Sequence, residues 1–321
     1  MSKLSNDTLP ETLDQDMGFA QPHDMPVPYM HRTRTYYQAL GYERPYRWAQ
    51  FAEVPFAPLS KPLSESRMVL ISTAAPYDPE KGDQGPWAPY NSAAKFYRVY
   101  QLPAEPAPDV RISHVGIDRK HTSQTDVRAW LPLAQLQRAE AEGRIGSLVR
   151  FVFGAPTNRS HRVTVDQDAP ELLDRLREEG AEAAILAPNC PICHQTCSLI
   201  ARHLEENGIP TIVMGCAKDI VEHCGVPRFL FSDFPLGNPA GKPDDEASQA
   251  QTLDMALRLL ETAPGPRTTW QSPIRWADDP DWKLDYSNVE RMDPDDIERQ
   301  RQEFLRQKEI AHAKRAADNA A

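Results

Sequence analysis

The sequence predicts an α/β fold: a mostly parallel sheet flanked by helices, with long proline-rich loops and a charged C-terminal helix. Three observations carry that expectation. Residues 67–75 and 183–187 are short, almost continuously apolar runs, the pattern of strands covered on both faces. Between such runs lie stretches with helical apolar spacing, each stopped by a glycine: Gly143, Gly180 and Gly208. The two kinds of segment alternate along the chain, which favours a parallel sheet with helices on its faces.

Taken in order, residues 1–25 are polar and acidic and read as a mobile tail. Residues 27–40 read as a helix with a partly apolar face (Tyr29, Met30, Thr33, Tyr36, Tyr37, Leu40), ended by Gly41. Residues 48–56 read as an extended segment packed by its aromatics, and 67–75 as the first strand. Residues 76–108 form a long loop carrying Trp87, Tyr90, Phe96 and Tyr100, of the kind that serves as a lid. A short strand is expected over 110–114, a helix over 131–142 and a strand over 148–153. After the polar loop 154–161, Asp168, Pro170 and Glu171 mark the start of a helix that runs to Gly180. Further strands are expected over 183–187, 209–215 and 228–233, with helices from the Cys190–Cys193 pair to about 204, stopped over 205–208, and over 218–224 and 248–262. Residues 234–239 read as a rigid loop, 264–291 as irregular, and 293–317 as a charged helix with few apolar anchors, either partly free or an oligomer contact. The expected division is a tail (1–25), an α/β domain (26–292) and a C-terminal helix (293–321).

The formal net charge of −10 argues against nucleic acid or an anionic membrane as the main partner. No apolar run reaches membrane-spanning length. Proline fills 30 of 321 positions, about twice its ordinary share, and gathers in the connections, which implies stiff loops. Four of the five cysteines lie between Cys190 and Cys216, the fifth being Cys224. A disulfide framework scatters its cysteines, so a reducing cytoplasm is expected.

The segment Cys190-Pro191-Ile192-Cys193-His194 stands where the strand 183–187 passes into a helix. A helix start offers unpaired N–H groups and the positive end of a dipole, which favour a thiolate at Cys190. Pro191 suits the first helical position. The same five letters spell the c-type haem attachment signature. The opening residues show no apolar export segment, which speaks against that reading. A zinc reading is weakened because Cys190, Cys193, His194 and Cys197 crowd one stretch of helix and no second C-x-x-C completes a tetrahedron. The remaining alternative is that these cysteines only pack.

In a parallel sheet, ligands bind beyond the carboxyl ends of the strands. That places Ser72-Thr73, Ser113-His114, Asn189-Cys190, Cys216 and Ser232-Asp233 on one rim. Cys190 and Cys216 end successive strands of one βαβ unit, about 4.8 Å apart if adjacent. His114 and His121 are candidate acids for a leaving group, with hydrogen-bonded loop histidines as the alternative. His194 is a candidate for stabilising a thiolate or for a solvent-facing position. Arg159 and Arg162 are candidates for gripping a carboxylate.

The stretch from Asn189-Cys190-Pro191-Ile192-Cys193-His194-Gln195-Thr196 to Ile209-Pro210-Thr211 resembles the selenoprotein B components of glycine, sarcosine and betaine reductases and of D-proline reductase, in an all-cysteine form. The Asp118 to Asp126 segment and Gly154-Ala155-Pro156-Thr157-Asn158 fit the same family, and the similarity runs from about residue 28 to about residue 311. In those reductases a selenocysteine paired with a cysteine attacks the substrate, a C–N bond is cleaved, and a thiol resolves the bond to selenium. The resemblance implies Cys190 and Cys193 at the matching positions. It also implies a thioredoxin-like dithiol donor and a separate subunit bearing a pyruvoyl-type carbonyl. Here sulfur replaces selenium, which puts glycine reduction itself in doubt.

The expectation is therefore a cytoplasmic, thiol-dependent oxidoreductase that reductively cleaves a C–N or C–S type bond in a small polar substrate. Cys190 would be nucleophile, Cys193 the resolving thiol and Cys216 a third member, with His114 and His121 as acids and no cofactor of its own assigned. The alternatives are a non-redox cysteine enzyme of desulfurising or lyase type, and a non-catalytic or metal-binding subunit of a complex.

Overall fold

Among the described residues ten strands form: β1 (Arg67–Ser72), β2 (Ala75–Pro76), β3 (Tyr100–Pro103), β4 (Val110–Arg111), β5 (Ser147–Leu148), β6 (Phe151–Gly154), β7 (Ala183–Ala187), β8 (Thr211–Gly215), β9 (Arg228–Phe231) and β10 (Thr268–Gln271). The computed structural model describes residues 25–318 except 43, 78–97, 113, 115 and 158. The expected tail, the aromatics Trp87, Tyr90 and Phe96 of the expected lid, and Ser113 therefore lie outside the described residues.

The main sheet runs β10-β9-β8-β7-β1-β6-β3, with β5 also paired to β1. All its pairings are parallel except β3 against β6. The mostly parallel sheet flanked by helices is thus present. β7 and β8 are neighbours, in register from Ala184 opposite Thr211 to Leu186 opposite Val213. The chain moves one way from β1 to β6, then returns past β1 to lay down β7 to β10. The direction reverses between β1 and β7, where an open α/β sheet leaves a crevice at its carboxyl edge.

The longer helices among the described residues are α1 (Tyr29–Ala39), α2 (Leu133–Ala141), α3 (Ala169–Glu178), α4 (Pro191–Glu206), α5 (Lys218–Cys224), α6 (Glu246–Thr262) and α7 (Pro294–Asp318). Successive side chains of a strand point to opposite faces, and the two cores divide accordingly. Met68, Leu70, Ile185, Ile212 and Leu230 pack with Leu133 and Leu136 of α2 and Leu253, Leu257 and Leu260 of α6. Val69, Ile71, Leu186, Val213 and Phe229 pack with Leu172 and Leu176 of α3, Ile200 and Leu204 of α4 and Val221 of α5. α7 meets α1, where the Tyr36 hydroxyl donates to Gln300 Oε1 at 2.6 Å.

Four local expectations are corrected. The strand at 110–114 shrinks to β4 and leaves the main sheet, pairing antiparallel with β2. Its exposed Arg111 between buried Val110 and Ile112 has a face for water, which a central parallel strand lacks. Asp168 is no N-cap. The helical path begins at His161, capped by Ser160 Oγ, which accepts from Val163 N at 3.3 Å, and passes through a wide turn over Thr164–Asp168 into α3. Pro170 lacks the N–H that a regular turn would use there. The strand at 148–153 is interrupted between β5 and β6. The irregular stretch 264–291 contains β10, an edge strand whose mixed Thr268-Thr269-Trp270-Gln271 carries no apolar run to announce it.

Candidate functional site

Loops from three strand ends meet at the crevice between β1 and β7. Thr73 follows β1, Thr157 follows β6, and Asn189 and Cys190 follow β7. Cys190 is the N-cap of α4. Its backbone is extended (φ −107°, ψ 171°), its Sγ accepts from Cys193 N at 3.2 Å, and Pro191 opens the helix. Both cysteines are buried, Cys190 at 5% exposure and Cys193 at 0%. His114 reaches them from the connection after β4. Arg119 donates to its carbonyl oxygen at 2.6 Å. In the same connection Gly116 lies against Pro191 and Cys190, and its carbonyl accepts from the Tyr286 hydroxyl at 3.0 Å.

Hydrogen-bonding groups gather on the second sulfur of the pair. Cys193 Sγ lies 3.6 Å from Thr157 Oγ1 and 3.7 Å from His114 Nδ1. Thr73 Oγ1 accepts from Asn189 N (3.1 Å) and from Asn189 Nδ2 (3.3 Å). With both its lone pairs used, its own hydrogen is left to donate, and it goes to Cys193. Burial opposes a thiolate at Cys193, but the Cys190 S–H, His114 and Thr73 outweigh it and hold the thiol well below its ordinary range. Burial and the hydrogen bond to Cys193 push Cys190 up. A helix start alone pointed to Cys190; the side chains converging from β1, β4, β6 and β7 favour a thiolate at Cys193 over one at Cys190. Sequence reasoning missed Thr73 and Thr157 as its partners, and Asn189 as the group that orients Thr73, although Thr73 and Asn189 stood on the expected rim.

His194 neither faces solvent nor touches a thiol. It is fully buried and spans two strand ends. Its Nδ1 donates to Cys190 O at 2.8 Å, while Nε2 accepts from Cys216 N at 2.9 Å and Ala217 N at 3.2 Å. Accepting at Nε2 requires the neutral ring, and burial lowers its pKa to about 4. Gly215 makes room: a Cβ there would stand 2.7 Å from the imidazole.

The other sequence candidates take separate places. The donor atoms of His114, Cys190 and Cys193 all lie within 4.8 Å of one another, and neither Cys216 nor His121 joins that group. Cys216 packs with Tyr29, Phe234 and Tyr286. Burial raises its thiol, although the backbone N–H groups of Asn238 and Phe234 bond to it. His121 stands between two carboxylates, its Nδ1 3.0 Å from Asp118 and its Nε2 3.2 Å from Asp285. Arg159 has a left-handed backbone (φ 62°), and its guanidinium bonds Tyr42 and acts on Cys190 through its charge. Arg162 is exposed. Asp233 pairs with Lys283. Cys224 is buried beside Ala49 and Leu199, and burial pushes it up to about 12. No helix among the described residues is long and apolar enough to cross a membrane.

The chain is 27% identical over 213 residues to D-proline reductase subunit gamma of Acetoanaerobium sticklandii, an alignment covering 64% of this chain and 83% of that protein. It is 26% identical over 218 residues to glycine reductase complex component B subunit gamma of Carboxydothermus hydrogenoformans, covering 66% of this chain and 49% of the relative. The same subunit of Symbiobacterium thermophilum is 25% identical over 236 residues, 72% of this chain and 54% of that protein. The chain thus spans most of the D-proline reductase subunit but about half the length of the glycine reductase subunits. Neither a protein-family model nor a solved structure matches it. The resemblance to components of these amino-acid reductases holds over most of the chain.

Proposed function

We propose that the chain is a thiol-dependent reductase component that cleaves a C–N or C–S type bond in a small polar substrate. The observation that carries this reading is the gathering of Thr73, Thr157, His114 and Cys190 around Cys193 Sγ at the sheet's crevice. A purely packed cysteine needs no such set of partners, whereas a nucleophilic thiolate does. Cys193 attacks the substrate and the leaving group departs with a proton, for which His114 is the nearest acid. Cys190 then resolves the Cys193 adduct. In sum, one substrate bond and two S–H bonds are exchanged for two bonds to hydrogen and one Cys190–Cys193 disulfide. A thioredoxin-like dithiol returns the disulfide to two thiols and is itself oxidised. Asn189 Oδ1, fully buried beside Cys190 with no hydrogen-bond partner among the described residues, offers an acceptor to an N–H of the substrate.

Similarity to named reductase-complex components supports a partner subunit, and the carbonyl that activates an amine substrate is assigned to that partner. The test is to trap the intermediate. Reduced Cys190→Ser protein incubated with cell extract should accumulate a small-molecule adduct on Cys193, read by peptide mass spectrometry. An adduct only on Cys190 in Cys193→Ser protein would reverse the two roles. No adduct in either variant would remove the thiol chemistry.

A further inference from the structure

We propose that His114, Cys190 and Cys193 together bind a thiophilic divalent cation, Zn²⁺ in the first instance, through one imidazole and two thiolates with the fourth coordination position open. The cysteine segment alone argued against such a site, because donors from one helix turn do not close a tetrahedron. The fold removes that objection by bringing His114 from the connection after β4, far from the cysteines in sequence. The three donor atoms already lie within 4.8 Å of one another. With Zn–S near 2.3 Å and Zn–N near 2.0–2.1 Å, tetrahedral geometry needs donor separations of about 3.8 Å for S to S and about 3.6 Å for S to N. Cys193 Sγ and His114 Nδ1 stand 3.7 Å apart.

The charge and the surroundings fit as well. Two thiolates cancel the charge of a divalent cation, so a buried centre stays neutral. Thr157 and Thr73 already hydrogen-bond Cys193 Sγ, the outer support that fixes a ligand's orientation. Among the described residues no fourth His, Cys, Asp or Glu joins the group. That leaves a position for water or a substrate atom, the arrangement of open rather than structural zinc sites. The inference rests on the donor geometry and not on the reductase reading. Bound metal and a Cys190–Cys193 disulfide exclude each other, because both use the same sulfurs.

The full chain, reduced and stripped of metal with a chelator, is titrated with Co²⁺ under anaerobic conditions. The expected result is a thiolate-to-cobalt charge-transfer band and the visible bands of tetrahedral cobalt, saturating at one equivalent and abolished by one equivalent of Zn²⁺. Cys216→Ser leaves the bands unchanged. Cys193→Ser removes them, and His114→Ala weakens binding at least tenfold. A second measurement needs no variant: Zn²⁺ should protect Cys190 and Cys193 of the wild-type protein from alkylation while leaving the labelling of Cys216 and Cys224 unaltered. Absence of the bands at stoichiometric Co²⁺, their survival in a folded Cys193→Ser protein, or alkylation indifferent to Zn²⁺ would overturn the site. Those outcomes leave the trapping experiment untouched, and failure to trap an adduct leaves the cobalt spectrum untouched.

Discussion

His194→Ala removes the strut that joins the start of α4 to the end of β8. Two buried donors, Cys216 N and Ala217 N, lose their acceptor, and Cys190 O loses one of its two donors. A buried group left unsatisfied costs about 1–3 kcal/mol, and the vacated ring adds a cavity cost. The expected loss is about 3–6 kcal/mol, a large share of the roughly 5–15 kcal/mol of a native protein. His194→Gln, which can still offer an acceptor, should lose less. The wild-type histidine also predicts a pH slope. Its folded pKa of about 4 lies below its ordinary value of 6.5, so between those values the unfolded chain binds more protons. The stabilisation is present above pH 6.5 and is lost as pH falls toward 4, by up to about 3 kcal/mol at about 1.4 kcal/mol per unit. Urea unfolding across pH 4–7, in wild type and in His194→Gln, measures this. A loss under 1 kcal/mol in His194→Ala, or equal slopes in wild type and His194→Gln, would refute the strut.

Mild oxidation should join Cys190 to Cys193, and peptide mapping should find Cys216 still free; a dominant Cys190–Cys216 bridge would mean that the pair works across the sheet. Thr73→Val removes a donor from Cys193, so alkylation of Cys193 at neutral pH should slow by about tenfold or more, a hydrogen bond to a charged group being worth about 1.5–3 kcal/mol. His114→Ala should lower turnover by about 10²-fold or more, while His121→Ala, whose ring is held by Asp118 and Asp285, should leave it within a few-fold; the reverse ranking would relocate the acid. Arg228→Met should cost about 3–5 kcal/mol in urea unfolding, because it strands the fully buried Glu205 carboxylate 2.8 Å from the lost guanidinium; a loss under 1 kcal/mol would refute that.

The strand–helix alternation was legible because it is written locally. Apolar runs, helical spacing and glycine stops announced β1, β7, β8 and α4, and from them the α/β class and the seat of Cys190 at a helix start followed. β10 was not legible, because an edge strand needs no apolar run. The long path from β1 through β6 back to β7 was not legible either, because strand order is set by contacts between segments far apart in the chain. The division of labour in the site has the same origin. A helix dipole acts on whichever residue starts the helix, so the sequence by itself determined that a Cys-x-x-Cys pair stood ready for thiol chemistry. Which sulfur is favoured as the thiolate depends on Thr73, Thr157 and His114, whose distances from Cys193 in sequence say nothing of their distances in space. The tertiary structure alone decided that. It brought those three groups to Cys193, bound His121 between two carboxylates, set Cys216 in another core cluster, and spent His194 on joining strands, because short-range hydrogen bonds act only between atoms that the fold has made neighbours.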